Sequence, residues 1–262
     1  MTLYYQLDTH TRRFHYIEHG QGPDLILLHG NGAHAMLYQS MIEHLGQSFR
    51  VIVPDLPGYG RTPAKYYRVD DYIADVSDFV HRHVSDDAVC IGHSLGGLIS
   101  YLMHRQGDFH WQKLVWMEAA LFTELSPLIR FLLPGYALYT RYHRHNPKHI
   151  RNAVREIALN YDQSESFIKE RFIESYTWAD RRVQAMFFRH YPRYLPLDFS
   201  GFEMPMLCVR GEKESYISRV TEAFYPLLPG VAGTHKVTIE NAGHFLIGEN
   251  EPPLFAALDR FL

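Results

Sequence analysis

Cysteine is nearly absent from the chain: 262 residues include two, Cys90 and Cys208. Two thiols exclude a disulfide scaffold and a four-cysteine zinc site. Long apolar runs are missing too. None reaches the ~18–20 residues that a membrane span needs. The first ten residues have neither the basic start nor the apolar stretch of a secretory signal, so a cytoplasmic protein is expected. Neither sign of charge dominates: 26 Lys and Arg face 29 Asp and Glu, a net of −3. That excludes the overall basic field of a nucleic-acid binder. Repeats and low-complexity stretches are also lacking. What remains is a globular composition, 46% hydrophobic and 14% aromatic, with an unusual reserve of 17 histidines.

Short, nearly continuous apolar runs recur. They lie at Asp24–His29, Phe49–Asp55, Asp87–Gly92, Lys113–Met117, Met206–Arg210 and Lys236–Ile239. Strands apolar on both sides suit a parallel sheet covered by helices on both faces. Leu3–Leu7 and Phe14–Glu18 read as an edge hairpin. Val69, Tyr72, Ile73, Val76, Phe79 and Val80 recur at helical spacing. Asp70 and Asp71 sit at the front of that stretch and His81, Arg82 and His83 at its back, as the helix dipole favours. Leu95, Leu98, Ile99, Leu102 and Met103 mark a second helix, with Gly107 placed to end it. A last helix runs from Pro252 to Leu262. The alternation argues for an α/β fold.

Residues 121–203 break the pattern. They hold 16 aromatic residues, with 12 basic against 9 acidic side chains, and no convincing strand. They read as a helical insertion over one end of the sheet. The core is then 1–120 together with 204–262.

The strongest chemical signal is Gly92-His93-Ser94-Leu95-Gly96-Gly97, which follows a strand and opens a helix. In that context G-x-S-x-G is a nucleophile elbow, a sharp turn that exposes the serine hydroxyl at a helix N-terminus. A hydroxyl needs a base. His244, beyond the last strand, is the expected one. A carboxylate must hold the base's tautomer. Glu214, after the strand ending at Arg210, is favoured, with Glu118 as the alternative and Asp55 more distant. The glycines of His29-Gly30-Asn31-Gly32 allow inward-facing amides, so the backbone N–H groups of Asn31 and Leu95 are the expected oxyanion donors. His29, Phe122 and Phe245 are expected to border the substrate.

Together, the His29-Gly30 turn, Pro54–Gly60, the Gly92–Gly97 elbow and Gly243-His244 resemble the α/β-hydrolase superfamily. The resemblance covers residues 24–250 and is nearest to the small serine esterases and related acyl hydrolases. It implies an eight-stranded, mostly parallel sheet with a helical cap inserted after strand 6. It also implies hydrolysis of a carboxylic ester or thioester through an acyl-enzyme, with no cofactor and no metal. Relatives acting on haloalkanes or epoxides carry Asp at the nucleophile position, and here it is Ser94. Members usually have Gly-x-x-Asp after strand 7, where this chain has Glu214. Some take the acid from the end of strand 6, which is Glu118 here. The same fold also serves ligand-binding receptors with vestigial hydrolysis, and C–C bond hydrolases, lyases and perhydrolases.

Two further features fall outside that machinery. The histidines at 143, 145 and 149 lack a metal-binding spacing. The basic insertion, with Arg130, Arg141, Arg144, Arg151 and Arg155, is first a solvated face. Its sharper reading is attraction of an anionic acyl carrier. The expected partner is therefore a small ester or thioester, free or on such a carrier, without nucleic acid and without a membrane span.

Overall fold

Strand residues that alternate between two apolar faces need helices on both, and the computed structural model supplies them. It describes residues 3–11, 13–65, 68–125, 127–143, 146–159, 167–213, 215 and 218–262. The strands are β1 (Tyr5–Leu7), β2 (His15–His19), β3 (Asp24–Leu28), β4 (Arg50–Pro54), β5 (Val89–His93), β6 (Lys113–Met117), β7 (Met206–Gly211) and β8 (His235–Ile239). They form one sheet in the order β1-β2-β4-β3-β5-β6-β7-β8. Its first two pairings are antiparallel and the rest parallel. The eight strands and the edge hairpin expected from the sequence are all present.

The helices are α1 (Gln39–Leu45), α2 (Val69–His83), α3 (Leu95–Arg105), α4 (Pro127–His143), α5 (Pro147–Ile157), α6 (Ile173–Trp178), α7 (Arg181–His190), α8 (Ser218–Phe224), α9 (Leu246–Glu249) and α10 (Glu251–Phe261). On one face of the sheet, Ile26, Ile52, Cys90 and Leu114 pack with the apolar stripes of α2 and α3. On the other, Leu25, Val51, Val89 and Val115 pack with α1 and α10. Each fully buried aliphatic side chain contributes about 1.5–3 kcal/mol. Gly107, at φ +74°, turns the chain out of α3.

Register sets what meets at the sheet's C-terminal edge. Leu28 lies beside Gly92, His93 beside Met117, Met117 beside Val209, and Gly211 beside Ile239. The loops after β3, β5, β6, β7 and β8 therefore leave the sheet close together. Between β6 and β7 the described residues form helices and no strand. These helices rest on the same edge. Ser175 Oγ donates to the Gly32 carbonyl at 2.7 Å, and the Asp180 amide donates to the Gly58 carbonyl at 2.7 Å.

Cys90 and Cys208 lie on β5 and β7 with β6 between them. Both are free and buried, and burial pushes both thiol pKa values up. No helix among the described residues is long and apolar enough to cross a membrane.

Candidate active site

Ser94 follows β5 directly and begins α3. Its backbone has φ 51° and ψ −111°, a conformation that L-residues adopt only under constraint. The constraint is visible: the Ser94 amide donates to the Met117 carbonyl, and the Ser94 carbonyl accepts from Gly97 and Ala120. A side chain at Gly96 would run into the Leu28 carbonyl, so only glycine lets α3 start this close to β3. A serine at this position usually caps its helix. The Ser94 side chain makes no capping bond, which leaves its hydroxyl for other work.

His244 stands on the loop after β8. Its amide donates to the Ile157 carbonyl at 2.9 Å, and Glu249 accepts from the amides of Gly243 and Phe245. Glu249 was not apparent in the sequence as the residue that shapes this loop. The His244 Nδ1 atom lies 3.4 Å from Glu118 Oε2. Glu118 is fully buried, with φ 46°, and its other oxygen accepts the Gly211 amide at 2.7 Å. A carboxylate can only accept, so this arrangement puts the imidazole proton on Nδ1 and leaves Nε2 as the basic atom. Glu214 lies outside the described residues. Asp55 is committed elsewhere: it accepts from Tyr5 Oη and from the amides of Ala35 and Arg61.

The amides of Asn31 and Leu95 have no hydrogen-bond acceptor among the described residues. His29 does not border the cavity described below. It is fully buried, with Nε2 accepting from the Leu56 amide at 2.9 Å and Nδ1 at 2.9 Å from the Gly30 carbonyl. Its place is within the turn, not against a substrate. Burial lowers its pKa to about 3, so it is neutral.

A second histidine was unremarkable in the sequence beyond its place in the motif. His93 Nε2 lies 3.0 Å from the His244 carbonyl, and Nδ1 lies 2.6 Å from Tyr38 Oη. Tyr38 Oη also accepts the Gly30 amide at 3.2 Å. A carbonyl only accepts, so His93 Nε2 bears the proton and Tyr38 donates to Nδ1. Burial, and then the neighbouring His244, lower the His93 pKa to about 3. This neutral chain joins the loops after β3, β5 and β8.

Ser94 and His244 open onto one cavity of about 520 Å³. Phe122 and Phe245 border it, with Leu98, Leu133, Val154 and Phe187 among its other apolar walls. No charged side chain lines it among the described residues. No group of three or more His, Cys, Asp or Glu among them is arranged to hold a metal ion.

The strand order, with its antiparallel edge and a helix launched from β5, defines an α/β-hydrolase fold. Agreement with the sequence pattern of the alpha/beta hydrolase family over residues 25–258 goes further: the chain belongs to that family. A pimeloyl-[acyl-carrier protein] methyl ester esterase of Vibrio campbellii is 43% identical over 86 residues, 33% of each chain. Haloalkane dehalogenase 2 of Mycobacterium tuberculosis is 33% identical over 96 residues, 36% of this chain and 34% of that one. The matched segments thus span about a third of these curated relatives. Among solved structures, a thermophilic esterase from Thermogutta terrifontis superposes with a TM-score of 0.78 at 20% identity, covering 99% of this chain and 97% of that one.

Proposed function

We propose that the chain is a serine hydrolase that cleaves a neutral carboxylic ester or thioester. One observation carries this reading. Ser94, on its strained turn, and His244, backed by Glu118, share a largely apolar cavity. Ser94 Oγ attacks the carbonyl, and His244 Nε2 takes the proton and returns it to the leaving alcohol or thiol. The amides of Asn31 and Leu95 hold the oxyanion. Water, deprotonated by the same nitrogen, then releases the acid. Glu118 orients His244. Residues 121–203 act as the cap that shapes the acyl site.

Intact-mass labelling with a fluorophosphonate tests the nucleophile without a guess at substrate. Wild type should gain one adduct that Ser94→Ala does not. A folded wild type that stays unlabelled would overturn the proposal.

The finer reading is an ester borne on an anionic carrier. It is supported by the activity of the Vibrio relative and by exposed Lys148, Arg151 and Arg155 on α5. Arg144 lies outside the described residues. Charge steering makes kcat/KM for a carrier-borne ester fall steeply with added salt, while that for a neutral free ester holds. Equal salt responses would remove the carrier.

A further inference from the structure

Helix α4 turns an apolar stripe outward. Leu128, Phe131, Leu132, Leu138 and Tyr139 are each between 40% and 80% exposed. Their spacing places all five within about a third of the helix circumference. Ala137, on the opposite side of the helix, is buried, and α4 packs along α7. Exposed apolar residues scattered singly need no explanation, but a continuous stripe marks a surface that something covers. The stripe also reaches the active site: Leu132 borders the cavity shared by Ser94 and His244.

Cations edge the stripe along two helices. A groove of about 430 Å³ between α4 and α7 is lined by Leu138 together with Lys65, Arg182, Arg189 and His190. Lys65 and Arg182 pair with Asp75 and Asp180, while Arg189 is exposed and has no acidic partner among the described residues. Toward α5, the Tyr139 ring lies 6.1 Å from that of His149. Lys148 and Arg151 beside it are exposed and likewise lack acidic partners among the described residues. Helix α4 carries no acidic residue, and the one acid of α5, Glu156, stands at its far end.

We propose that this face of the cap docks on an anionic lipid surface. The stripe enters the apolar boundary beneath the headgroups, as an amphipathic interfacial helix does, and the cations of α5 and α7 meet the lipid phosphates. A second copy of this chain is a poorer occupant, because a two-fold contact through the stripe sets these cations against their own copies. A soluble acidic carrier meets the cations but leaves the stripe in water. A lipid surface answers both features. Docking brings the edge of the cavity at Leu132 to the lipid, so an apolar ester dissolved there reaches Ser94 without crossing water. That last step alone rests on the ester-hydrolase reading.

Co-flotation with vesicles tests the docking without catalysis. Wild type should float with vesicles of phosphatidylglycerol and phosphatidylcholine in equal parts, and about ten-fold less with phosphatidylcholine alone. Phe131→Ser/Leu138→Ser should lower the partition constant on the mixed vesicles by about ten-fold or more, and Leu128→Ser by a few-fold. None of the three side chains borders the active-site cavity. The variants should therefore keep the wild-type urea midpoint and the wild-type rate on p-nitrophenyl acetate in free solution. With p-nitrophenyl dodecanoate dissolved in the mixed vesicles, the double variant should turn over about ten-fold more slowly at low lipid. Wild type that does not float, equal flotation on both vesicle types, or variants that float like wild type would each overturn the proposal. So would a dimer in sedimentation velocity that the double variant dissociates, with no flotation, because the stripe would then belong to a second copy. A missing fluorophosphonate adduct on Ser94 would fell the hydrolase reading alone and leave the flotation result standing.

Discussion

Glu118 and Glu214 show why a catalytic acid is hard to read from a linear chain. Each follows a strand that ends at the same sheet edge, so order and spacing allow both. Glu118 Oε2 lies 3.4 Å from His244 while Oε1 is pinned by the Gly211 amide, which supports Glu118 as the proposed acid, and Glu214 lies outside the described residues. Glu118→Gln keeps the shape and one acceptor but loses the charge that holds the imidazolium. Its kcat should fall by about a thousand-fold, against a few-fold at most for Glu214→Gln. Steady-state kinetics on a p-nitrophenyl ester checks this, and the reverse ranking would return the role to Glu214. His29 illustrates the opposite difficulty. It stands in the expected turn, yet backbone groups engage both ring nitrogens, and nothing local in the sequence reveals that.

At the scale of elements, most of the sheet was legible because burial on both faces leaves a strong local mark. The stripe on α2 reads as a helix from its own spacing, and its six apolar positions are buried in the structure. What escaped notice are links between elements. Tyr38 belongs to a short 3-10 turn after β3, and its partner His93 is 55 residues away. No periodicity connects them. Tyr38→Phe removes one hydroxyl and strands two groups, the Gly30 amide and His93 Nδ1. Unfolding in urea should show a loss of about 1–3 kcal/mol. The loops carrying Asn31, Ser94 and His244 would lose their common tie, so kcat should drop by about ten-fold, with a smaller change in KM. A variant as stable and as active as wild type would deny the network any positioning role.

For the whole molecule, the neutral buried histidines couple stability to pH. His29 and His93 have folded pKa values of about 3, well below the ~6.5 of an unfolded histidine. Burial therefore favours the neutral form. The folded state has its full advantage above about pH 6.5, and the unfolded chain takes up protons first as the pH falls. Between about pH 6 and pH 3 each of the two should remove about 1.4 kcal/mol of stability per pH unit. Urea titrations at pH 7 and pH 5 measure the effect, and equal midpoints would contradict it. The reserve of histidines noted from composition alone is thus partly a reserve of acid sensitivity. Composition could not say which of the 17 would be buried.

The placement of the two thiols on the sheet's inner strands has a practical consequence. Cys90 and Cys208 sit on opposite sides of β6, sealed from solvent and held in the unreactive protonated form. A thiol-modifying reagent can reach neither until the strands around them separate. Alkylation under native conditions is then a slow clock for opening of the central sheet, timed without an engineered cysteine. Because the serine, histidine and carboxylate loops all spring from that sheet, modification and loss of activity should advance at one rate.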